Sequence, residues 1–240
     1  MGCDTGGSNW RSAEGAYPDA LNRKRGTIRL MLRLYLVRHG QTAWNATGRI
    51  QGHSDVPLDE VGQRQAQQVA QWLGTRLRKP IAIYTSDLMR ASQTAQAIAH
   101  QVGAPLQPVM ELRERFWGAW EGLTTEEIQA RYPEHHFTYL YDPLNGTPPE
   151  AEPMSDFWTR VRNFYHQLRA EHTEGELVVV GHGGSLRIML CETLVGDVHT
   201  YRRIRLDNTS ISIVEHTHER SWVALLNFVE HLQDPSVDGF

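Results

Sequence analysis

Two cysteines, Cys3 and Cys191, are all that the 240 residues contain, so a disulfide framework is excluded as the basis of the fold. A reducing, cytoplasmic setting is expected. No apolar run approaches the roughly 20 residues of a membrane span, and the N-terminus lacks the apolar stretch of a signal peptide. Neither sign of charge dominates: 24 Lys and Arg face 28 Asp and Glu, a net charge of −4, which gives no reason to expect nucleic acid or an acidic membrane as partner. Cations that matter must therefore act locally. A phosphate-loop or dinucleotide pattern is also missing, so no nucleotide cofactor is indicated. His216-x-His218 puts two imidazoles on one side of an expected strand, but no carboxylate or Cys cluster accompanies them, and no metal is expected. Gly183-Gly184-Ser185 is not a hydrolase elbow, because Arg187 stands where the last Gly of that pattern belongs.

What is present is the composition of a soluble globular protein, 40% hydrophobic and 22% charged, long enough for one domain with a small insertion. Residues 1–30, rich in Gly, Ser, Asn and Arg without an apolar period, read as a disordered extension, with Met31 as an alternative start. Met1-Gly2-Cys3 invites a lipidation reading, but Gly6 occupies the place where that pattern wants Ser or Thr. The domain is expected over 31–232, with 233–240 as a tail.

Three short apolar runs, 32–37, 81–84 and 177–180, read as buried strands, and each stops in a polar loop. Between the first two, Ala66, Val69, Ala70, Leu73 and Leu77 recur at helical spacing after a candidate Asp59 cap. Ala91, Ala95, Ile98 and Val102 repeat the pattern. Strands alternating with helices imply an α/β fold, a three-layer αβα sandwich on a mostly parallel sheet. Residues from about 111 to 160 break the rhythm with Phe116, Trp117, Trp120, Tyr132, Pro148 and Pro149, and read as a small inserted helical lid. The runs 211–214 and 222–226 suggest a closing hairpin at the sheet edge.

In a parallel α/β sheet the ligand sits beyond the carboxyl ends of the strands, and those ends carry the chemistry here. Arg38-His39-Gly40-Gln41-Thr42 supplies a cation, an imidazole and a Gly that lets backbone approach an anion. Ser86-Asp87-Leu88-Met89-Arg90-Ala91 sets Arg90 in the first turn of a helix, where free N–H groups favour phosphate. Gly181-His182-Gly183-Gly184 repeats the strand-loop-helix device with a second imidazole. Together these groups make a dianion pocket.

Arg38-His39-Gly40-Gln41-Thr42, with Asn45 just after it, resembles the signature of the histidine phosphatase (phosphoglycerate-mutase-like) superfamily. Three further blocks follow in family order: 86–95, Leu112-Arg113-Glu114-Arg115-Phe116-Trp117-Gly118 with its continuation to Gly122, and 181–184. The likeness spans roughly Leu32 to Phe228. It implies that His39 attacks phosphorus, that Arg38, Arg90 and His182 hold the phosphoryl oxygens with Asn45 and Gly183 beside them, and that Glu114 protonates the leaving oxygen. The chemistry suits those types: neutral imidazole is a competent nucleophile near pH 7, and Arg offers a fixed fork to phosphate oxygens.

The resemblance implies a phosphomonoesterase acting on a small phosphorylated metabolite without a cofactor, as a monomer or homodimer. A bisphosphoglycerate-dependent phosphoglycerate mutase and a silent phosphate-binding module are the alternatives. Mutases of the family carry a Lys after the block matching Gly118 to Gly122 and an Arg pair further on. Here Thr124, Thr125, Glu126 and Glu127 follow, and 132–159 contain neither Lys nor Arg, which favours hydrolysis; Arg115 and Arg131 are the nearest compensating cations. The lid also has Ala151-Glu152-Pro153 where many family phosphatases have Gly-Glu-Ser.

Overall fold

In the computed structural model, alternation along the first apolar run divides the core in two: Leu32, Leu34 and Leu36 pack into one cluster, Tyr35 and Val37 into another. Residues 31–232 are described, apart from 78, 79 and 143; the expected extension 1–30 and tail 233–240 lie outside the described residues. That run is β1 (Leu32–Arg38), followed by the short α1 (Ala43–Ala46) and by α2 (Glu60–Arg76). The Asp59 carboxylate caps α2 by accepting from Gly62 N–H at 2.7 Å, as its sequence position suggests. Next come β2 (Ala82–Thr85), α3 (Met89–Val102) and β3 (Leu106–Pro108), then α4 (Thr125–Arg131) and α5 (Pro133–Tyr141). The chain continues through α6 (Met154–Glu171), β4 (Gly175–Gly181), α7 (Gly183–Leu194) and α8 (Val198–Tyr201), and closes with β5 (Ile211–His216) and β6 (Ser221–Phe228).

The six strands lie in the order β3-β2-β4-β1-β5-β6, with the first four parallel and the last two an antiparallel hairpin at the edge. Helices α2 and α3 cover one face through Val69, Leu73, Ala91 and Ile98; α6 and α7 cover the other through Phe157, Val161, Leu186 and Met189. This is the expected αβα sandwich. β4 alternates in step with β1, Leu177 and Val179 to one side, Val178 and Val180 to the other. Each such side chain, fully buried, contributes roughly 1.5–3 kcal/mol. No helix among the described residues is long and apolar enough to cross a membrane.

Two sequence expectations are corrected. Residues 154–160 belong to the helical layer and not to the lid, because Met154 and Phe157 already lie buried in the core on α6. His218 is not on a strand: β5 stops at His216, and Thr217 N–H bonds Arg220 O at 2.9 Å to make the hairpin turn. His216 is instead held between Tyr165 Oη (3.1 Å) and Ser221 Oγ (2.6 Å). β3 is an addition, a three-residue strand ending in Pro that carries no period to read.

Candidate active site

Parallel register brings the two imidazoles together. Arg38 pairs with Gly181 across β1 and β4, so His39 and His182 are the next pair, and their ring centroids lie 5.1 Å apart. β2 pairs with the other side of β4, ending at Thr85 opposite Val180, so Ser86 arrives at the same place. Its Oγ lies 2.9 Å from His182 Nε2.

Both imidazoles are buried, and each is held in a defined orientation. His39 Nδ1 lies 2.7 Å from Gly40 O. A carbonyl oxygen can only accept, so Nδ1 carries the proton and Nε2 keeps its lone pair. Burial, then the Arg90 and Arg38 guanidiniums, holds the His39 pKa well below the usual imidazole value. Burial followed by Arg90 does the same to His182. Both rings are therefore neutral near pH 7.

The cations around them are held by main-chain oxygens and not by acids. Arg90, on the first turn of α3, donates to Gly52 O (2.7 Å) and Ser54 O (2.9 Å); Arg38 donates to Leu206 O (2.6 Å). The Nε of each is buried without a partner. Burial lowers both pKa values to about 10, for Arg38 with help from Arg187, so both stay charged. Buried guanidiniums without carboxylates present a strong demand for an anion.

Glu114 faces this group from the lid side. Its Oε2 accepts from Gly184 N–H at 2.9 Å and its Oε1 from Arg115 N–H at 2.8 Å. A Cβ at Gly184 would overlap the Glu114 carboxylate and come within 2.9 Å of Phe157 Cζ, so a larger residue there would push Glu114 aside. A side chain at Gly183 would come within 3.8 Å of Arg38 Nε and 4.0 Å of Glu114 Oε2, which puts the first residue of α7 between them. Asn45 is one step removed: its Oδ1 takes Thr42 N–H at 3.1 Å and Asn208 Nδ2 at 3.5 Å. The remaining amide group is the part free to meet a ligand. All seven sequence-predicted residues thus come to one end of the sheet.

Several supporting residues have no strong sequence signal. Arg160 donates to the carbonyls of Glu111, Arg113 and Glu114 at 2.7, 2.9 and 2.8 Å and pairs with Glu152, so α6 clamps the segment that carries Glu114. Glu152, the acid of Ala151-Glu152-Pro153, is the clamp's other jaw; its Oε2 also takes Phe116 N–H at 3.2 Å. Glu121 gathers the N–H groups of His53 and Ser54 at 2.8 and 2.9 Å, holding the loop whose carbonyls bind Arg90. Arg131 lies exposed at the end of α4 and does not join the site.

Neutral buried imidazoles make apo stability depend on pH with a definite sign. His39 and His182 sit well below their unfolded pKa, and burial brings His216 and His231 to about 4. Stability from these groups is present above about pH 6.5, where both states are neutral, and is lost as pH falls, because only the unfolded chain takes up the protons. Four such groups give a slope approaching about 5 kcal/mol per pH unit near pH 5.5. Urea unfolding in phosphate-free buffer from pH 7.5 to 5 should show it; a flat profile would mean that the rings titrate normally.

The sheet and its strand-end groups define an α/β domain that sets two imidazoles and two guanidiniums side by side at one end. The chain belongs to the histidine phosphatase superfamily (branch 1), whose family model matches residues 34–229. It is 32% identical over 209 residues to phosphoserine phosphatase 1 of Hydrogenobacter thermophilus, covering 87% of this chain and 98% of that one. A protein of Yersinia enterocolitica named as a probable phosphoglycerate mutase is 37% identical over 218 residues, with the same coverage. Among solved structures, the alpha-ribazole phosphatase of Shigella flexneri superposes with a TM-score of 0.74 at 26% identity, over 82% of this chain and 96% of that one. A mycobacterial glucosyl-3-phosphoglycerate phosphatase does so with 0.73 at 30% identity, over 82% and 99%.

Proposed function

We propose that the protein is a phosphomonoesterase that works through a phosphohistidine on His39, acting on a small phosphorylated metabolite. The observation that carries this reading is the Nδ1 bond to Gly40 O, which leaves a neutral Nε2 lone pair amid the unpaired Arg38 and Arg90 guanidiniums and His182. Nε2 attacks phosphorus, the bond from phosphorus to the leaving oxygen breaks, and Glu114 in its acid form gives that oxygen a proton. Water then loses a proton to the Glu114 carboxylate and attacks phosphorus. The P–N bond breaks and inorganic phosphate leaves His39 neutral again. Arg38, Arg90, His182, Asn45 and the Gly183 N–H bind the phosphoryl oxygens throughout.

A mutase reading has one observation in its favour. Arg115, Arg187 and Arg202 all act electrostatically on Tyr139, as Glu114 does, so cations reach this side of the lid from outside it, although the lid itself supplies none beyond Arg115. The deciding assay supplies 3-phosphoglycerate with and without 2,3-bisphosphoglycerate, and follows 2-phosphoglycerate against free phosphate with no metal added. Phosphate release unaffected by bisphosphate is the expected result. Bisphosphate-stimulated isomerisation outrunning phosphate release would establish the mutase instead.

A further inference from the structure

The turn 206–210, between α8 and β5, supplies none of the groups assigned a role in the chemistry, yet it surrounds the backbone of the nucleophile. Arg38 Nη1 donates to Leu206 O at 2.6 Å, Arg38 N–H to Ser210 O at 3.2 Å, and Thr209 N–H to Arg38 O and His39 O at 3.0 and 3.2 Å. Asn208 Nδ2 donates to His39 O at 3.0 Å and lies 3.5 Å from Asn45 Oδ1. Asn208, Thr209 and Ser210 are all buried. A polar turn folded inside the protein must find partners for its donors and acceptors, and here it finds them on residues 38 and 39.

The turn is also strained. Thr209 has a φ of 54°, a left-handed conformation that a β-branched residue rarely adopts and that persists only where its surroundings over-determine it. Those surroundings are visible. Within the turn, Thr209 Oγ1 donates to Asn208 O at 2.8 Å and Ser210 N–H to Asp207 O at 3.0 Å. From outside, Asp207 and Asn227 bond reciprocally, Asp207 N–H to Asn227 Oδ1 at 2.7 Å and Asn227 Nδ2 to Asp207 Oδ2 at 2.8 Å. Asn227, itself left-handed at φ 52°, falls where the β5–β6 register shifts between the Ile211–Phe228 and Ile213–Leu225 pairs. The edge hairpin thus braces a turn whose donors close on His39 O.

What that carbonyl contributes follows from the next residue. Gly40 O holds the proton on His39 Nδ1, and its direction depends on the plane of the His39–Gly40 peptide and on Gly40, which has no Cβ to restrict it. The peptide is held on both edges. Asn208 and Thr209 take its oxygen, and Thr94 Oγ1 takes the Gly40 N–H at 3.0 Å while donating to Arg90 O at 2.8 Å. We infer that Asn208 is a positioning residue: it fixes the plane of the His39–Gly40 peptide and, through Gly40 O, the tautomer and aim of the His39 ring. The effect on rate rests on the phosphohistidine reading; the effect on the tautomer does not.

The test compares Asn208→Ala with Asn208→Asp, which keeps the shape of the side chain but whose ionised oxygens accept and cannot donate. In both, single-turnover phosphorylation by nitrophenyl phosphate should slow by on the order of tenfold to a hundredfold, the scale of a small misplacement of a reacting group. Inorganic phosphate, held by Arg38 and Arg90, should keep its Kd within about threefold by calorimetry, because the loss falls on the transition state. Ring 15N spectra should show His39 as a single Nδ1–H tautomer in the unsubstituted protein and as a mixture of tautomers in the variants. Lower thermal stability with phosphorylation rate and tautomer unchanged would make Asn208 a packing residue and overturn the inference. Phosphate binding that weakens in step with the rate would overturn it too, as would failure of both variants to fold. An unsubstituted protein that shows the single tautomer but forms no phosphoenzyme would refute the covalent reading alone, and the ring spectra of the variants would still decide the positioning.

Discussion

His39→Ala is expected to lose both the phosphoenzyme and turnover, the latter by roughly 10⁴ or more, the scale seen when a covalent nucleophile is removed. The ring can serve as nucleophile because its protonation is fixed twice over. Gly40 O holds the proton on Nδ1, and burial with the Arg90 and Arg38 charges keeps a second proton off Nε2. Rapid quenching with labelled substrate should trap an acid-labile, base-stable adduct in the unsubstituted protein and none in His39→Ala. Label that persists in the variant would move the nucleophile elsewhere. His182→Ala should behave differently: the adduct still forms, with turnover lower by on the order of a hundredfold, as for a lost transition-state donor. Because both residues serve one step, the double variant should be little worse than His39→Ala alone. The low pKa of His39 has a further consequence on the acid side. Activity should decline there with the second ionisation of the substrate phosphate, near pH 6, and not with an imidazole at 6.5.

The sheet and the inner pocket were legible in the sequence because both rest on local signals. Apolar runs of β1 and β4 stop at Arg38-His39 and Gly181-His182, and strand ends are where parallel sheets bind ligands. The helical periods of α2 and α3 were equally plain, and the Asp59 cap was read from one residue. The lid boundary and the outer cations were less legible. Aromatic and Pro residues marked the lid, but the apolar spacing of α6 starts at Met154 inside the span assigned to it, and composition weighed more than period. The sequence reading of outer cations rested on residues 124–127, on 132–159 and on Arg115 and Arg131, all before α6. Arg187 was there to be found at i+4 from Gly183 on the helix that opens at the site. Arg202 was not, since it meets Tyr139 only after some sixty residues of chain have folded back, as its bond to Leu140 O records. Arg160 gives no local sign either. Its role depends on three carbonyls of a segment nearly fifty residues away.

Glu114→Gln should separate substrates by their leaving groups. Alkyl phosphates, whose leaving oxygen needs a proton as the bond breaks, should slow by about 10²–10⁴, the usual contribution of a positioned general acid. Nitrophenyl phosphate, whose leaving group departs as an anion, should lose far less in the first step. Geometry makes the substitution a fair probe, because the carboxylate is held by two backbone donors, Gly184 N–H at 2.9 Å and Arg115 N–H at 2.8 Å. The Gln carbonyl can keep one of these bonds, but its amide nitrogen must face the other donor, so some displacement toward the pocket is expected. The size of that displacement is read from phosphate binding, since a misplaced side chain would weaken inorganic phosphate as well as turnover. Dephosphorylation supplies a second check. Without a base at 114, water attack on the phosphohistidine slows, so with nitrophenyl phosphate the variant should show a burst of nitrophenol equal to the enzyme, followed by a slow steady rate. Equal loss on alkyl and aryl esters, with no burst, would assign Glu114 to holding the lid against α7 and leave the proton donor to be found elsewhere.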